Sequence, residues 1–171
     1  AMRPEHALAH LRGDGPCTML VAEGVTNVDN IGTFFRNASA FGVDGLLFDA
    51  TCCDPLYRKA VRVSMGHVLS VPWAMAAEGD WLETLQLLRD EWGMTLIAAE
   101  SGCESIPLWD LKWPERCAIV VGAEGPGLPD STRAACDRVV EIPMHGNVPS
   151  VNVALASGIC LYERTRGARD Q

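Results

Sequence analysis

The residues whose types and spacing suit chemistry gather at a few places in the chain. In the stretch 142–163, IPMHGNVPSVNVALASGICLYE, Ser150 stands where a helix should begin. Pro149 stiffens the entry to the turn, and an apolar run follows. A serine hydroxyl there accepts from a backbone N–H that the first turn leaves unpaired. Asn152 falls in that first turn. Loop backbone, hydroxyl, amide and helix N-terminus thus converge on a spot able to hold a polar ligand, although an ordinary capped helix has the same spacing. In the stretch 122–129, GAEGPGLP, glycines permit positive φ and close backbone approach. Glu124 adds a carboxylate, whose plainer role is to accept hydrogen bonds from its own turn. No Lys-Ser or Lys-Thr follows, and GxGxxG is absent, so this is neither a P-loop nor a dinucleotide fingerprint. Arg58, Lys59 and Arg62 form the densest basic group. They read either as a solvated face or as phosphate contacts.

The elements that position these groups follow from periodicity. In the stretch 27–42, NVDNIGTFFRNASAFG, Ile31, Phe34, Phe35, Ala38 and Phe41 make one helical stripe. Asn27 or Asp29 is its cap and Gly42 its stop. Arg36 lies off the stripe, where a lone arginine is ordinarily just solvated; Asn30 reads as a capping or turn residue. Apolar runs at 18–22, 46–48, 68–71, 94–99, 117–121 and 139–142 predict buried strands. The segment 80–92 predicts a helix with Trp81, Leu85, Leu88 and Trp92 on one side, Asp80 as cap and Gly93 as stop. Trp109 and Trp113 are expected to cover the core. Alternating strands and helices predict an α/β fold: a mostly parallel sheet with helices on both faces. Ligands in such folds bind beyond the C-terminal ends of strands. The loops after Ala99, Val121 and Ile142 therefore belong to one site.

Composition bounds the function. A chain of 171 residues, 48% hydrophobic and 21% charged, is sized and composed for one globular domain. Residues 1–15 predict a flexible lead-in or linker, with Ala1 before Met2 a remnant of cloning, and residues 16–171 the domain proper. No leader and no bilayer-length apolar run are visible, so a soluble, cytoplasmic protein without a membrane partner is expected. The 7 cysteines include no CxxC pair and no nearby histidines, which predicts no metal site and a reduced compartment. A net charge of -8 argues against a general nucleic-acid-binding surface; an RNA substrate needs a local basic patch or a basic segment elsewhere.

Three stretches taken together, NVDNIGTFFRNASAFG, IVVGAEGPGL and IPMHGNVPSVNVALA, resemble in order and spacing the motifs of the SpoU (TrmH-type) RNA methyltransferases of the SPOUT superfamily. DPLYRKAVRVSMG resembles the segment between them. The resemblance covers residues 18–163. It implies transfer of a methyl group from S-adenosylmethionine to a ribose 2′-hydroxyl of tRNA or ribosomal RNA, by a homodimer with a C-terminal trefoil knot. It also implies that a small RNA-binding domain preceding this one is missing. Arg36 matches the catalytic arginine and Asn30 its polar partner, and Glu124, Ser150 and Asn152 match the remaining active-site positions. Ala99, Glu100, Ser101, Gly122, Glu124, Gly125, Ile142, Met144, Val151 and Asn152 match the cofactor side. Arg36, Arg58, Lys59 and Arg62 are the expected RNA contacts. Val151 in place of Leu, Ala154 in place of Ser and Ala123 at an often polar position depart from the pattern without touching the polar set. A guanidinium is a poor base because it stays protonated, so Arg36 is expected to steady the developing alkoxide or clamp a phosphate. The alternatives are a non-catalytic RNA-binding or ribosome-assembly protein that keeps the fold, and a methyltransferase acting on another nucleotide position or on protein.

Overall fold

The structure is a computed structural model that describes residues 7–102, 105–146 and 148–169. Its strands are β1 (Cys17–Ala22), β2 (Gly45–Phe48), β3 (Trp73–Met75), β4 (Thr95–Ala99), β5 (Ile106–Pro107), β6 (Arg116–Val121) and β7 (Arg138–Glu141). They form one sheet in the order β3-β2-β1-β6-β4-β7-β5, and every pairing is parallel. The helices are α1 (Val28–Phe41), α2 (Arg58–Val63), α3 (Trp81–Asp90), α4 (Asp130–Ala135) and α5 (Val153–Arg169). A parallel strand covered on both faces reads as a continuous apolar run. In β1, Leu20 and Ala22 join Phe34, Phe35, Phe48 and Leu161 on the face of α1 and α5. Met19 and Val21 join Leu85, Leu88 and Trp92 on the face of α3. The α/β fold with helices on both faces is thus the observed one.

Two of these helices set the geometry of the site. α1 begins at Asn27, whose side chain accepts from the Asp29 N–H at 2.9 Å, and ends at Gly42, whose φ of 66° is left-handed. Buried Phe34 and Phe35 anchor it, each contributing about 1.5–3 kcal/mol of burial. Gly32 lets α2 approach closely: a Cβ there would meet the Val63 Cβ at 2.6 Å and the Ala60 carbonyl at 2.9 Å.

The structure departs from the expectations at several points. The run 68–71 is no strand. A 3₁₀ turn spans His67–Leu69, with Val68 buried and Leu69 77% exposed. The strand starts only after Pro72, whose carbonyl accepts from the Leu46 N–H at 2.9 Å; proline serves as the approach to a ladder because it has no N–H to give. Trp113 covers the core as expected, but Trp109 is 61% exposed on the short turn Leu108–Asp110. Of the expected lead-in, residues 1–6 lie outside the described residues; within 7–15, Leu8 and Leu11 are buried, and Arg116 donates to the carbonyls of Gly15 and Leu11. Helix α4 carries no apolar stripe, and its one buried residue is Thr132.

Candidate active site

The C-terminal ends of β4, β6 and β7 open into one cavity of about 570 Å³, within the range of small-molecule sites. From the end of β4 come Ala99, Glu100 and Ser101. The loop 122–129 supplies Gly122, Glu124 and Gly125, and the approach to α5 supplies Ile142, Met144, Ser150, Val151 and Asn152. Every residue expected on the cofactor side lines this cavity. Val121, Val140 and Val153 complete an apolar floor that motif matching did not name.

The loop 122–129 is folded back on itself, with Ala123 bridged to Gly127. A Cβ on Gly122 would meet the Leu128 nitrogen at 2.5 Å and the Gly127 carbonyl at 2.6 Å. Gly125 and Gly127 have φ of 93° and 72°, a region that side chains resist. Glu100 fastens the loop: its Oε2 accepts from the Leu128 N–H at 2.8 Å, and a Cβ on Gly127 would run into the same carboxylate. Gly127, one of the three glycines of this turn read as permitting positive φ and close backbone approach, lines the cavity as well.

The polar centre is organised by Asn152, not by Ser150. Asn152 precedes α5, and its Oδ1 accepts from the N–H groups of Ala154 at 3.0 Å and Leu155 at 3.2 Å. Asn152 is therefore the helix cap, and the helix begins at Val153, two residues past the expected start. Ser150 is exposed at the cavity wall. With its oxygen held by the helix, the Asn152 amide points both hydrogens elsewhere: Nδ2 donates to Asn30 Oδ1 at 2.9 Å and to Glu124 Oε1 at 2.5 Å. Three chain segments meet through this one carboxamide. Asn30 is 4% exposed, and its own Nδ2 has no partner. An unsatisfied buried donor costs about 1–3 kcal/mol, so a group that accepts from it is favoured here.

Arg36 and Asn30 are not among the residues lining the cavity. Arg36 is exposed, one turn past Gly32 on the side of α1 that faces α2. Arg58, Lys59 and Arg62 are all exposed on α2, and Lys59 Nζ pairs with Asp29 Oδ2 at 2.8 Å. The described cysteines are free. Burial pushes the thiols of Cys136 and Cys160 up to about 12, so they are packed hydrophobes and not nucleophiles. Among the described residues, no helix is long and apolar enough to cross a membrane.

A model of the SpoU rRNA Methylase family matches residues 18–162. The chain belongs to the SpoU rRNA methylase family. It is 43% identical over 166 residues to an uncharacterised tRNA/rRNA methyltransferase of Mycobacterium tuberculosis, covering 95% of this chain and 56% of that protein. It is 35% identical over 150 residues to the Escherichia coli 23S rRNA (guanosine-2'-O-)-methyltransferase RlmB, covering 86% of this chain and 59% of that protein. The SpoU methyltransferase AviRb from Streptomyces viridochromogenes, crystallised in complex with the cofactor AdoMet, superposes with a TM-score of 0.85 at 26% identity over 96% of this chain and 65% of that one. The chain thus spans little more than half the length of the curated SpoU relatives it matches.

Proposed function

We propose that the protein transfers a methyl group from S-adenosylmethionine to a ribose 2′-hydroxyl of tRNA or ribosomal RNA. The observation that carries this is that Asn152, which lines a nucleoside-sized cavity together with Glu124, joins that residue to buried Asn30 from a third segment. The cavity fits the cofactor: an apolar floor of Val121, Val140 and Ile142 suits a purine and thioether chain, and the folded-back glycine loop presents bare backbone to polar edges. When bound, the cofactor supplies an electrophilic methyl group on a sulfonium. Glu100, Gly122, Met144 and Val151 are the residues that would hold it.

The chain's own residues serve the ribose. Glu124 and Asn152, with Asn30 behind them, orient the incoming hydroxyl, with Glu124 free to accept its hydrogen bond through the oxygen not engaged by Asn152. Arg36, which does not line the cavity, is proposed to steady the developing alkoxide or clamp the neighbouring phosphate. Positioning of two bound reactants provides much of the acceleration. The test is transfer of labelled methyl from the cofactor to total RNA, followed by mapping of alkali-resistant linkages. Arg36→Lys is expected to abolish most turnover while calorimetric binding of S-adenosylhomocysteine survives; near-normal turnover in that variant removes Arg36 from the mechanism.

The assembly proposed is a homodimer through the α1–α5 face. In its favour, a groove of about 500 Å³ lined by Phe41, Leu155, Ile159 and Tyr162 leaves Leu155 55% and Tyr162 56% exposed. Sedimentation of Leu155→Glu against the parent protein tests it: an unchanged mass rejects this face. The knot belongs to the same proposal. Its support is that β6 re-enters between β1 and β4 before α5 returns to pack on α1. Free cysteines suit a reducing cytoplasm as the place of work.

A further inference from the structure

We propose that the outer face of α2 and the turn after it bind single-stranded RNA, with Tyr57 stacking on a base and Arg58 and Arg62 holding phosphates. The proposal rests on the RNA reading above and names the surface that reading requires. Leu56 is 53% exposed, Tyr57 57%, Met65 72% and Leu69 77%. This is a dense group of bare apolar side chains in one short stretch, not scattered single residues.

The inner face of α2 is already occupied. Ala60 is 1% exposed, Ala60 and Val63 crowd Gly32 of α1, and Lys59 is tied to Asp29. Arg58 and Arg62, four residues apart, share a face that none of these contacts uses. Met65 sits at φ 53°, in a left-handed turn that non-glycine residues seldom adopt. The chain turns back there and keeps the Met65 side chain on the surface. Gly32 and Arg36 are one turn apart on α1, so Arg36 adds a third guanidinium on the α2 side.

Charge decides the occupant. The chain holds 22 acidic against 14 basic residues and uses most of its described cations internally. Arg89, Arg133 and Arg166 pair with carboxylates. Arg116, Arg138 and Arg164 donate to backbone carbonyls, and Arg12 lies over the Trp92 ring. Among the described residues, Arg36, Arg58 and Arg62 have no such partner. Of the nearby carboxylates, Asp29 is matched to Lys59, and Asp54 Oδ1 accepts from the Leu56 N–H at 2.8 Å. Unspent guanidiniums beside a bare aromatic ring are the means by which single strands are held: phosphates on cations, bases on π-faces. A duplex hides its base faces and gives Tyr57 nothing to stack on.

The test is fluorescence anisotropy of the full chain with a labelled single-stranded oligoribonucleotide and with the same sequence as a duplex. Variants are Tyr57→Ala, Tyr57→Phe, Arg58→Ala with Arg62→Ala, and Trp109→Ala as a control for exposed aromatics. Circular dichroism confirms folding. Expected are tighter binding of the single strand and a loss of about 5- to 100-fold in Tyr57→Ala. Tyr57→Phe retains affinity, and the double arginine variant flattens the log–log salt slope by about 1.4, from roughly 0.7 per phosphate contact. The proposal is overturned if Tyr57→Ala binds like the parent, if Phe does not rescue, or if the single strand is not bound. It is also overturned if Tyr57→Ala or Leu69→Ser changes the sedimenting mass, which marks the patch as a protein interface. Methyl transfer to total RNA by the parent protein separates the two failures: if it persists, only this surface is wrong.

Discussion

Asn152 offers the sharpest test of how the site is organised, because one carboxamide does two separable jobs. Its oxygen caps α5 and its NH₂ joins Asn30 to Glu124. Asn152→Ala removes both. Loss of the cap costs about 1 kcal/mol, and stripping the buried Asn30 carbonyl of its donor costs about 1–3 kcal/mol more. At roughly 2–4 °C per kcal/mol for a domain of this size, Tm should fall by about 5–15 °C. Asn152→Asp keeps the cap, since a carboxylate accepts at least as well as an amide there, but it loses both donors and faces the carboxylate of Glu124. Two like charges this close raise the folded-state pKa of the pair above the unfolded value. The folded state then binds more protons, so the variant's stability deficit is largest at neutral pH and shrinks as pH falls through the raised folded value toward the ordinary carboxylate range. Once protonated, the new carboxyl can donate one hydrogen bond and restore one of the two contacts. Thermal melts at pH 4.5 and 7.5 read this directly, and the Ala variant should show no such convergence. Both variants should lose turnover on the order of a hundredfold, the cost of misplacing reacting groups by about an ångström. If Asn152→Asp turns over normally at neutral pH, or its deficit does not shrink on acidification, the amide bridge plays no part and Asn152 is only a helix cap.

Gly122→Ala forces a Cβ against the Gly127 and Leu128 backbone, so it should cost about 1–3 kcal/mol and abolish calorimetric binding of S-adenosylhomocysteine; a bound structure with the loop unchanged refutes the close-packing argument. Glu100→Ala leaves the Leu128 N–H without its acceptor and should weaken the same binding about tenfold or more, whereas Glu100→Gln, which keeps an acceptor, stays near the parent. Burial raises the Glu23 carboxyl above the ordinary glutamate range, and nearby Asp49 adds to this while Thr132 and Trp81 oppose it. A raised folded value means that stability falls as pH climbs through it. Glu23→Gln should therefore flatten the Tm–pH profile and gain over the parent from pH 4.5 toward neutral; parallel profiles refute it.

The strands and the site's location were legible because burial on both faces writes itself as unbroken apolar runs, and because a parallel sheet puts all its C-terminal loops at one edge. That rule alone groups the loops after β4, β6 and β7. Finer features escaped for identifiable reasons. Ser150 and Asn152 are both good caps, and which one serves is decided by tertiary partners: only Asn152 can cap α5 and reach Asn30 and Glu124 at once. The run 68–71 has strand-like residues but only Val68 finds a core position, so the ladder waits for Pro72 to pass. Trp109 is as apolar as a core residue but sits on the short turn Leu108–Asp110, 61% exposed. Helix α4 has a single buried residue, Thr132, and so no stripe from which to infer it.

The placement of charge ties these parts into one device. The charged residues lining the cavity are Glu100 and Glu124, while the unengaged guanidiniums stand outside it on α1 and α2. A polyanion approaching such a surface is drawn to the arginines and turned away from the cleft. The proposed donor is cationic at sulfur and meets the opposite preference inside. Under the proposed function phosphates would stay out of the cavity, and an uncharged edge of the nucleotide, a hydroxyl, would approach Glu124 and Asn152 at low electrostatic cost. Under the proposed function an acidic protein would in this way handle RNA without a general basic surface: net charge governs nonspecific association, whereas a few arginines without a partner among the described residues, set against a carboxylate-lined cleft, would govern which part of the nucleotide arrives first.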